Sequence, residues 1–162
     1  MEGITQMGDF QLLKNLGKGT YGQVFMAREK KTGKIVAQKL MKKDRTKLDD
    51  YLHELFISIY LSSHEVIIFS YPLFIESVDH YILTQDLAPA GSLHSIIEPR
   101  VGIPEVIVKR CALQLTNALE YMHSKGLVHR DLKPDNVLLM DKECHQIKLS
   151  DFGMTQVAGK YF

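Results

Sequence analysis

The sequence contains no tryptophan, only two cysteines, and no apolar run long enough to cross a bilayer. Cys111 and Cys144 lack the C-x-x-C spacing, and a secreted disulfide scaffold would normally need more cysteines. The N-terminus shows no basic region followed by an apolar run, and Glu2 stands where myristoylation requires glycine. These absences argue against secreted, membrane-spanning and lipid-anchored proteins. We expect a cytoplasmic location, with the nucleus as the alternative.

Charge is also nearly balanced: Lys and Arg number 20, Asp and Glu number 19, and the net charge is +1. So small a net charge creates no field that would attract nucleic acid or anionic lipid. The composition, 45% hydrophobic and 24% charged, is that of a globular protein, and the length predicts one domain. We therefore expect no nucleic-acid partner and no membrane partner.

The first half of the chain shows strand signals interrupted by one helical signal. Short runs rich in apolar and β-branched residues alternate with glycine-bearing turns, which is typical of an antiparallel meander. The predicted strands are Phe10–Leu16, Gln23–Arg28, Lys34–Met41, Val66–Phe74 and His80–Asp86. A helix is predicted over Lys47–Ser62, where apolar residues recur at helical spacing. The members of that stripe are Leu48, Leu52, Leu55, Phe56 and Ile59. A second stripe, Glu54, Ile57, Ser58 and Leu61, lies on another side of the helix and suggests packing between two layers.

The second half is dominated by one long helix, predicted from Pro104 to about Lys125. Pro104 suits a first helical position, and Gly126 can adopt the left-handed conformation that ends a helix. The predicted apolar stripe of this helix is Val108, Leu115, Leu119 and Met122. Two short strands are predicted after it, over Val137–Met140 and near Gln146–Leu149.

The segment from Leu16 to Val24 contains the pattern G-x-G-x-x-G-x-V. Glycines in a hairpin let the backbone approach a polyphosphate and donate N–H groups to it, although an ordinary glycine-rich turn has the same pattern. A dinucleotide-binding fold would open a helix after the glycines, whereas strand-like Gln23–Arg28 follows here. The pattern therefore favours a phosphate-binding hairpin between two strands.

Lys39 lies on the third predicted strand, where alternation puts Ala37 and Lys39 on one face. On an ordinary sheet this lysine would be a solvated charge. Beneath a phosphate-binding hairpin it can instead contact phosphates while pairing with a carboxylate of the next helix, for which Glu54 is the best candidate. The alternative for Glu54 is a solvent-facing position.

The most specific motif is the octet His129–Asn136, which matches H-R-D-L-x-x-x-N at every fixed position. The alternative interpretation is a polar loop capped by Asp and Asn side chains; the match of all five fixed positions of the octet, between a long helix and a short strand, argues against it. Asp151-Phe152-Gly153 follows the next predicted strand. D-F-G alone occurs by chance, but its position shortly after the octet and a predicted strand makes a functional motif the better interpretation.

With these motifs, the chain resembles the protein kinase superfamily from about Phe10 to Gly153. Lys133 within the octet resembles the serine/threonine rather than the tyrosine branch. More narrowly, four segments are similar to the SBK family, the Src-homology-3-binding kinases. These segments are Ala88–Gly91, Val101–Pro104, Val108–Cys111 and Asp151–Thr155.

The resemblance implies an α+β fold with two lobes. Residues 10–86 would form an N-lobe of a five-stranded antiparallel sheet and one helix, and residues 87–91 a hinge. Residues 92–162 would be the start of a mainly helical C-lobe, so the whole chain, 1–162, would be a partial kinase domain.

The resemblance also implies roles for the polar residues. Asp131 would accept the proton of a substrate hydroxyl, and Lys133 would neutralise charge on the transferred group. Asn136 and Asp151 would hold Mg²⁺, since hard oxygen ligands suit a hard cation. Lys39 would hold the α- and β-phosphates of ATP, oriented by its pairing partner.

The remaining residues of the ATP site follow from the same resemblance. The glycine hairpin would cover the phosphates, and adenine would lie between apolar side chains with its edge on the backbone near Asp86–Ala88. Gln85 would lie at the back of this pocket. The full set is Leu16, Gly17, Lys18, Gly19, Gly22, Val24, Ala37, Lys39, Gln85, Asp86, Ala88 and Leu138. The apolar members, Val24, Ala37 and Leu138, would be core residues in any fold, and Gln85 could be an ordinary strand residue.

The chain ends at Phe162, shortly after Gly153. We expect a C-terminally truncated domain that lacks the A-P-E motif and the later helices. The apolar stripe of the Pro104 helix would then have fewer packing partners, and an exposed patch of that kind favours either aggregation or a partner chain that covers this part of the C-lobe.

Two functions of different classes follow. The first is ATP-dependent phosphorylation of protein serine or threonine. The alternative is a truncated, non-catalytic module that binds nucleotide or a partner without transferring phosphate. A dinucleotide-binding enzyme is a third candidate, disfavoured by the strand after the glycine hairpin.

Overall fold

In the computed structural model, which describes residues 7–18 and 22–159, an antiparallel sheet dominates the first part of the chain. Its strands are β1 (Phe10–Lys18), β2 (Gly22–Glu29), β3 (Ile35–Lys42), β4 (Ile75–Glu76) and β5 (His80–Gln85). They pair in the order β1-β2-β3-β5-β4, and one helix, α1 (Leu48–Leu61), is inserted between β3 and β4. The predicted five-stranded antiparallel sheet with one helix is confirmed.

Side chains of the sheet alternate between two hydrophobic cores, because successive strand residues point to opposite faces. One core consists of Phe10, Ala27, Val36, Leu40, Ile75 and Ile82. The other core joins Met41 and Leu83 of the sheet to Tyr51 and Leu55 of α1. Lys39 lies two residues before Met41 on β3, so its side chain lies on the face of the sheet that packs against α1.

The buried face of α1 includes Glu54, Ser58 and Leu61 of the second predicted stripe but differs from the first. Tyr51 and Leu55 are buried, and the polar residues Glu54 and Ser58 are buried with them. Phe56, which the sequence placed in the stripe, is 63% exposed. Consecutive helix residues point about 100° apart, so packing through Tyr51 and Leu55 turns Phe56 away from the core.

The fourth strand is not where the sequence predicts it. A strand was expected over Val66–Phe74, but β4 is the short segment Ile75–Glu76. Pro72 lacks a backbone N–H, and this interrupts the ladder before β4. The residues before Pro72 form only isolated bridges, one of which pairs Ser70 with Gln85.

The described residues group into two units. The first runs to Ile59 and resumes with Phe69–Leu87, whereas the second comprises Tyr60–Ile68 and the residues from Ala88 onward. The predicted N-lobe, residues 10–86, therefore includes one segment that groups with the second unit. The cause is backbone hydrogen bonding: the Leu149 N–H donates to the Val66 carbonyl at 2.7 Å, and the Ile68 N–H donates to the Leu149 carbonyl at 3.0 Å.

Among its described residues, the second unit contains two α-helices, a short 3-10 helix (Pro134–Asn136) and two small antiparallel sheets. Its helices are α2 (Leu93–Ile96) and α3 (Glu105–Ser124). Its strands are β6 (Leu127–Val128), β7 (Val137–Leu139), β8 (Ile147–Leu149) and β9 (Gln156–Val157), which pair as β6-β9 and β7-β8. Of these elements, α2, β6 and β9 were not predicted, because each is too short to show a periodic signal.

Helix α3 agrees closely with the prediction. Pro104 directly precedes it, and Gly126 follows with φ +71°, the left-handed conformation expected there. In the predicted stripe, Met122 is buried whereas Val108 is exposed. Within residues 7–18 and 22–159, no helix has both the length and the apolar content needed to cross a membrane.

Tyr51 anchors α1 to the sheet. Its hydroxyl donates to the Ile82 carbonyl at 2.7 Å, and its ring stacks on Tyr81 with centroids 5.0 Å apart. Burial raises the pKa of Tyr51 to about 12. The folded chain therefore keeps this proton at pH values where the unfolded chain has lost it.

We expect stability to fall as pH rises from 10.0, the ordinary tyrosine pKa, towards about 12. Across this window Tyr51 ionises in the unfolded chain but not in the folded chain. The free energy of unfolding should therefore fall by roughly 2 to 3 kcal/mol because of Tyr51. Tyr51→Phe should start lower by about 1 kcal/mol, from the lost hydrogen bond, but should lack this alkaline decline. Urea unfolding at several pH values, followed by circular dichroism, measures both curves, and parallel curves would contradict the assignment.

Candidate active site

The glycine-rich segment connects β1 to β2, as the sequence pattern predicts for a hairpin. At its start, the Gly17 N–H donates a hydrogen bond to Asn15 Oδ1 at 2.9 Å. Leu16 and Lys18 are exposed at the end of β1. Gly19 lies outside the described residues.

Gly22 begins β2 and is the glycine whose lack of a side chain the structure requires. A Cβ atom at this position would lie 2.0 Å from the Leu40 carbonyl oxygen of β3. Real Cβ atoms do not approach an oxygen so closely, so the β2–β3 ladder depends on glycine here. A Cβ at Gly17 would meet no atom within 4 Å.

Lys39 and Glu54 form an ion pair. Lys39 Nζ lies 2.7 Å from Glu54 Oε1, and the two side chains are only 16% and 6% exposed. The pair forms because Lys39 points to the α1 side of β3 and Glu54 lies on the buried face of α1. Breaking such a pair is costly because one buried charge would lose its partner. Alternation determines the face of the sheet on which Lys39 lies, and the ion pair then determines where its ammonium group lies on that face.

The residues predicted for the adenine pocket are placed as follows within their own units. In the first unit, Val24 and Ala37 are half-buried on adjacent strands, and Ala37 pairs with Gln85 across β3 and β5. Asp86 follows directly after β5. In the second unit, Ala88 and Leu138 are half-buried, and Leu138 on β7 bridges to Ser92.

The loop after β6 is organised by His129, which is buried. Its Nδ1 accepts a hydrogen bond from the Asp131 N–H at 3.1 Å, and its Nε2 lies 2.9 Å from the Ser150 carbonyl oxygen. A backbone N–H can only donate and a carbonyl can only accept, so the imidazole is neutral with its proton on Nε2. Both ring nitrogens are thus occupied, and His129 has a structural role rather than that of an acid or base.

Asn136, one of the two predicted metal ligands, is hydrogen-bonded to the predicted base, Asp131. Its Nδ2 donates to the Asp131 backbone carbonyl at 2.7 Å and lies 3.2 Å from Asp131 Oδ2. On the other side of Asp131, Lys133 Nζ lies 3.7 Å from Oδ1. Because the amide nitrogen is used for Asp131, the amide oxygen of Asn136 is the atom that remains to coordinate a cation.

Asp151 is brought to Asn136 by Ser150. The Ser150 N–H donates to the Asn136 carbonyl at 2.9 Å, and the Ser150 hydroxyl donates to the same oxygen at 3.1 Å. Asp151 is the next residue, so the two predicted metal ligands lie at the same end of the β7-β8 pair. An amide oxygen and a carboxylate are ligands that suit Mg²⁺, and their chemistry fits the expected ion.

Two non-glycine residues of this site have left-handed backbone conformations. Arg130 has φ 69° and Asp151 has φ 64°. Such residues are uncommon, and each costs of order 1 kcal/mol or more unless the surroundings hold it in place. The hydrogen bonds of His129, Asn136 and Ser150 provide that support.

Sequence reasoning did not identify Ser150, Ser70 and Tyr71, whose side chains contact predicted site residues. Serine and tyrosine beside strands have no distinctive spacing, so no sequence pattern marks these three residues. These three residues contact the site only because the fold pairs chain segments that are distant in sequence.

A second polar cluster, Asp141, Glu143 and His145, lies in the turn between β7 and β8. Asp141 accepts hydrogen bonds from the backbone N–H groups of His145 and Gln146, both at 3.0 Å. The His145 N–H and these other bonds hold the pKa of Asp141 below its ordinary value. Asp141 therefore has a structural role in closing the turn.

Comparison with known proteins agrees with this geometry. Residues 10–161 match the protein kinase domain family. The chain therefore belongs to the protein kinase family, as its sheet topology and its His129–Asn136 loop indicated.

The similar proteins narrow this class. The chain is 49% identical to serine/threonine-protein kinase SBK1 of Danio rerio over 93% of its own length and 39% of that protein. It is 41% identical to serine/threonine-protein kinase SBK2 of Homo sapiens, over 93% of this chain and 43% of that protein. It is 33% identical to serine/threonine-protein kinase meng-po of Drosophila melanogaster, over 96% and 34% respectively. The chain thus spans less than half the length of these relatives.

Gly22→Ala should destabilise the sheet by about 1 to 3 kcal/mol, because the new methyl group would push β2 away from the Leu40 carbonyl. Gly17→Ala is the matched control, and we expect a change within about 0.5 kcal/mol. Thermal denaturation of the two variants and the parent chain measures the difference. Equal melting temperatures for the two variants would contradict the close approach at Gly22.

Proposed function

We propose that this protein transfers the γ-phosphoryl group of ATP to serine or threonine hydroxyls of protein substrates. The observation that carries this proposal is the hydrogen-bonded arrangement of Asp131, Asn136 and Ser150, which would bring the Asp131 carboxylate near the proposed cation ligands Asn136 and Asp151. Membership of the protein kinase family and the names of the similar proteins support it. Phosphoryl transfer needs mainly alignment and charge neutralisation, which such an arrangement can provide.

Asp131 is the proposed base. Asn136 and the backbone bond to His129 fix its position from two directions, so its carboxylate is held in one orientation. In that orientation it would accept the proton of a substrate hydroxyl and direct the oxygen towards phosphorus. Lys133, 3.7 Å from the carboxylate, would neutralise charge on the transferred group.

Asn136 and Asp151 are the proposed ligands of Mg²⁺. The ion would supply charge neutralisation at the phosphates. The protein contributes the placement of both oxygen ligands, which the Ser150 hydrogen bonds to Asn136 support. Lys39, oriented by Glu54 at 2.7 Å, is proposed to hold the phosphates of ATP.

The glycine segment, Gln85 and the backbone from Asp86 are proposed to bind the rest of the nucleotide. The paired positions of Ala37 and Gln85 are compatible with this assignment. A cytoplasmic or nuclear location, proposed from the composition, is compatible with a need for ATP.

Asp131→Asn should lower phosphate transfer to a protein substrate by at least about 100-fold, because the amide cannot take up the proton. Binding of Mg·ATP should persist, since Asp131 is not among the proposed nucleotide ligands. Radiolabel transfer from γ-labelled ATP measures the first effect, and thermal-shift titration with Mg·ATP measures the second.

Asp79→Asn, an isosteric change at an exposed residue of the β4–β5 turn, is the control and should transfer phosphate like the parent chain. Equal transfer by the Asp131 and Asp79 variants would overturn the assignment of the base. Nucleotide binding by the parent chain without any transfer would favour the non-catalytic alternative.

A further inference from the structure

The segment Phe69–Tyr71 runs antiparallel beside the end of β5. The Tyr71 N–H donates to the Thr84 carbonyl and the Asp86 N–H donates to the Phe69 carbonyl, both at 2.9 Å. Between these two bonds, Ser70 pairs with Gln85. These bonds fix the register between Phe69–Tyr71 and the end of β5, directly before the backbone proposed to bind adenine.

Two side-chain hydrogen bonds join the same segments. The Tyr71 hydroxyl donates to Asp86 at 2.6 Å between Oη and Oδ1, and Gln85 Nε2 donates to the buried Ser70 hydroxyl at 3.1 Å. The first distance lies in the range of charge-assisted bonds between a hydroxyl and a carboxylate, which are stronger than neutral ones. Tyr71 thus provides the stronger of the two restraints.

The Tyr71 ring is itself held on two sides. Phe69 contacts it edge-on, with centroids 5.0 Å apart, and Lys34 Nζ lies 4.7 Å from the ring centroid. Burial and the bond to Asp86 raise the pKa of Tyr71. The phenol therefore keeps its proton at neutral pH and remains a hydrogen-bond donor.

Restraint at Asp86 matters because this residue begins the segment proposed to contact adenine. Holding its side chain limits rotation about the bonds next to its peptide groups, and it leaves fewer conformations to be ordered when a ligand binds. An unrestrained carboxylate would also be free to compete for the N–H groups of neighbouring residues, as Asp side chains commonly do. The bond to Tyr71 prevents this competition.

We propose that Tyr71 is a positioning residue for nucleotide binding, which fixes the backbone at Asp86 through its hydroxyl. This inference rests on the proposed function, since it requires adenine to contact that backbone. Tyr71 makes no contact with nucleotide in this proposal and acts through Asp86 alone.

The test is Tyr71→Phe, which removes one oxygen atom and keeps the ring that contacts Phe69 and Lys34. The dissociation constant for Mg·ATP should rise about three- to tenfold, less than the full worth of a hydrogen bond to a charged group, because Tyr71 acts on binding only through Asp86. Calorimetric titration of the parent chain and the variant, well below both melting temperatures, measures it. Tyr60→Phe, at a residue 57% exposed on α1, is the matched control and should bind like the parent.

A second ligand separates positioning from general loosening. Inorganic triphosphate with Mg²⁺ lacks adenine, so its affinity should be the same for Tyr71→Phe and the parent chain. Asp86→Ala, which removes the acceptor of the Tyr71 hydroxyl, should weaken Mg·ATP binding in the same way. The double variant should be no weaker than Tyr71→Phe alone, because both changes remove the same hydrogen bond.

The outcomes are distinct. Failure of the parent chain to bind Mg·ATP would overturn the proposed function and this inference with it. Normal binding by the parent, with unchanged affinity in Tyr71→Phe, would overturn the positioning role alone. Equal weakening for Mg·ATP and for inorganic triphosphate would also overturn it, because a purely structural loss affects both ligands.

Discussion

The second unit depends on the hydrogen bonds of Asn136. Its side-chain nitrogen reaches Asp131, and its carbonyl oxygen accepts both bonds from Ser150. One residue therefore fixes the distance between a carboxylate on a loop and a carboxylate that follows a strand. Without Asn136, fewer hydrogen bonds would hold Arg130 and Asp151 in their left-handed backbone conformations.

In the first unit, the corresponding constraint is the ion pair of Lys39 and Glu54. Burial makes the pair costly to separate, and the pair in turn requires α1 to present Glu54 to β3. This explains why the buried face of α1 carries two polar residues, Glu54 and Ser58, whereas the large apolar side chain of Phe56 is exposed.

The sequence predicted those parts of the structure that local chemistry determines. The glycine hairpin, the sheet topology and the ends of α3 follow from turn residues, alternation and capping at Gly126. It failed where pairing between distant segments decides: the fourth strand was predicted over Val66–Phe74, but β4 is Ile75–Glu76, after Pro72. The motif residues of the site were identified by their spacing, but Ser70, Tyr71 and Ser150 were not, because a hydrogen bond to a distant backbone or side chain has no local pattern.

The left-handed conformations of Arg130 and Asp151 have a consequence for protein engineering. At both positions glycine would relieve the backbone of its conformational penalty, so a design procedure that optimises folding free energy alone would select it. The same substitution at Asp151 would delete a carboxylate that the proposed chemistry requires. Redesign for thermostability should therefore hold these two positions fixed and seek its gains elsewhere, for instance at exposed apolar residues such as Phe56.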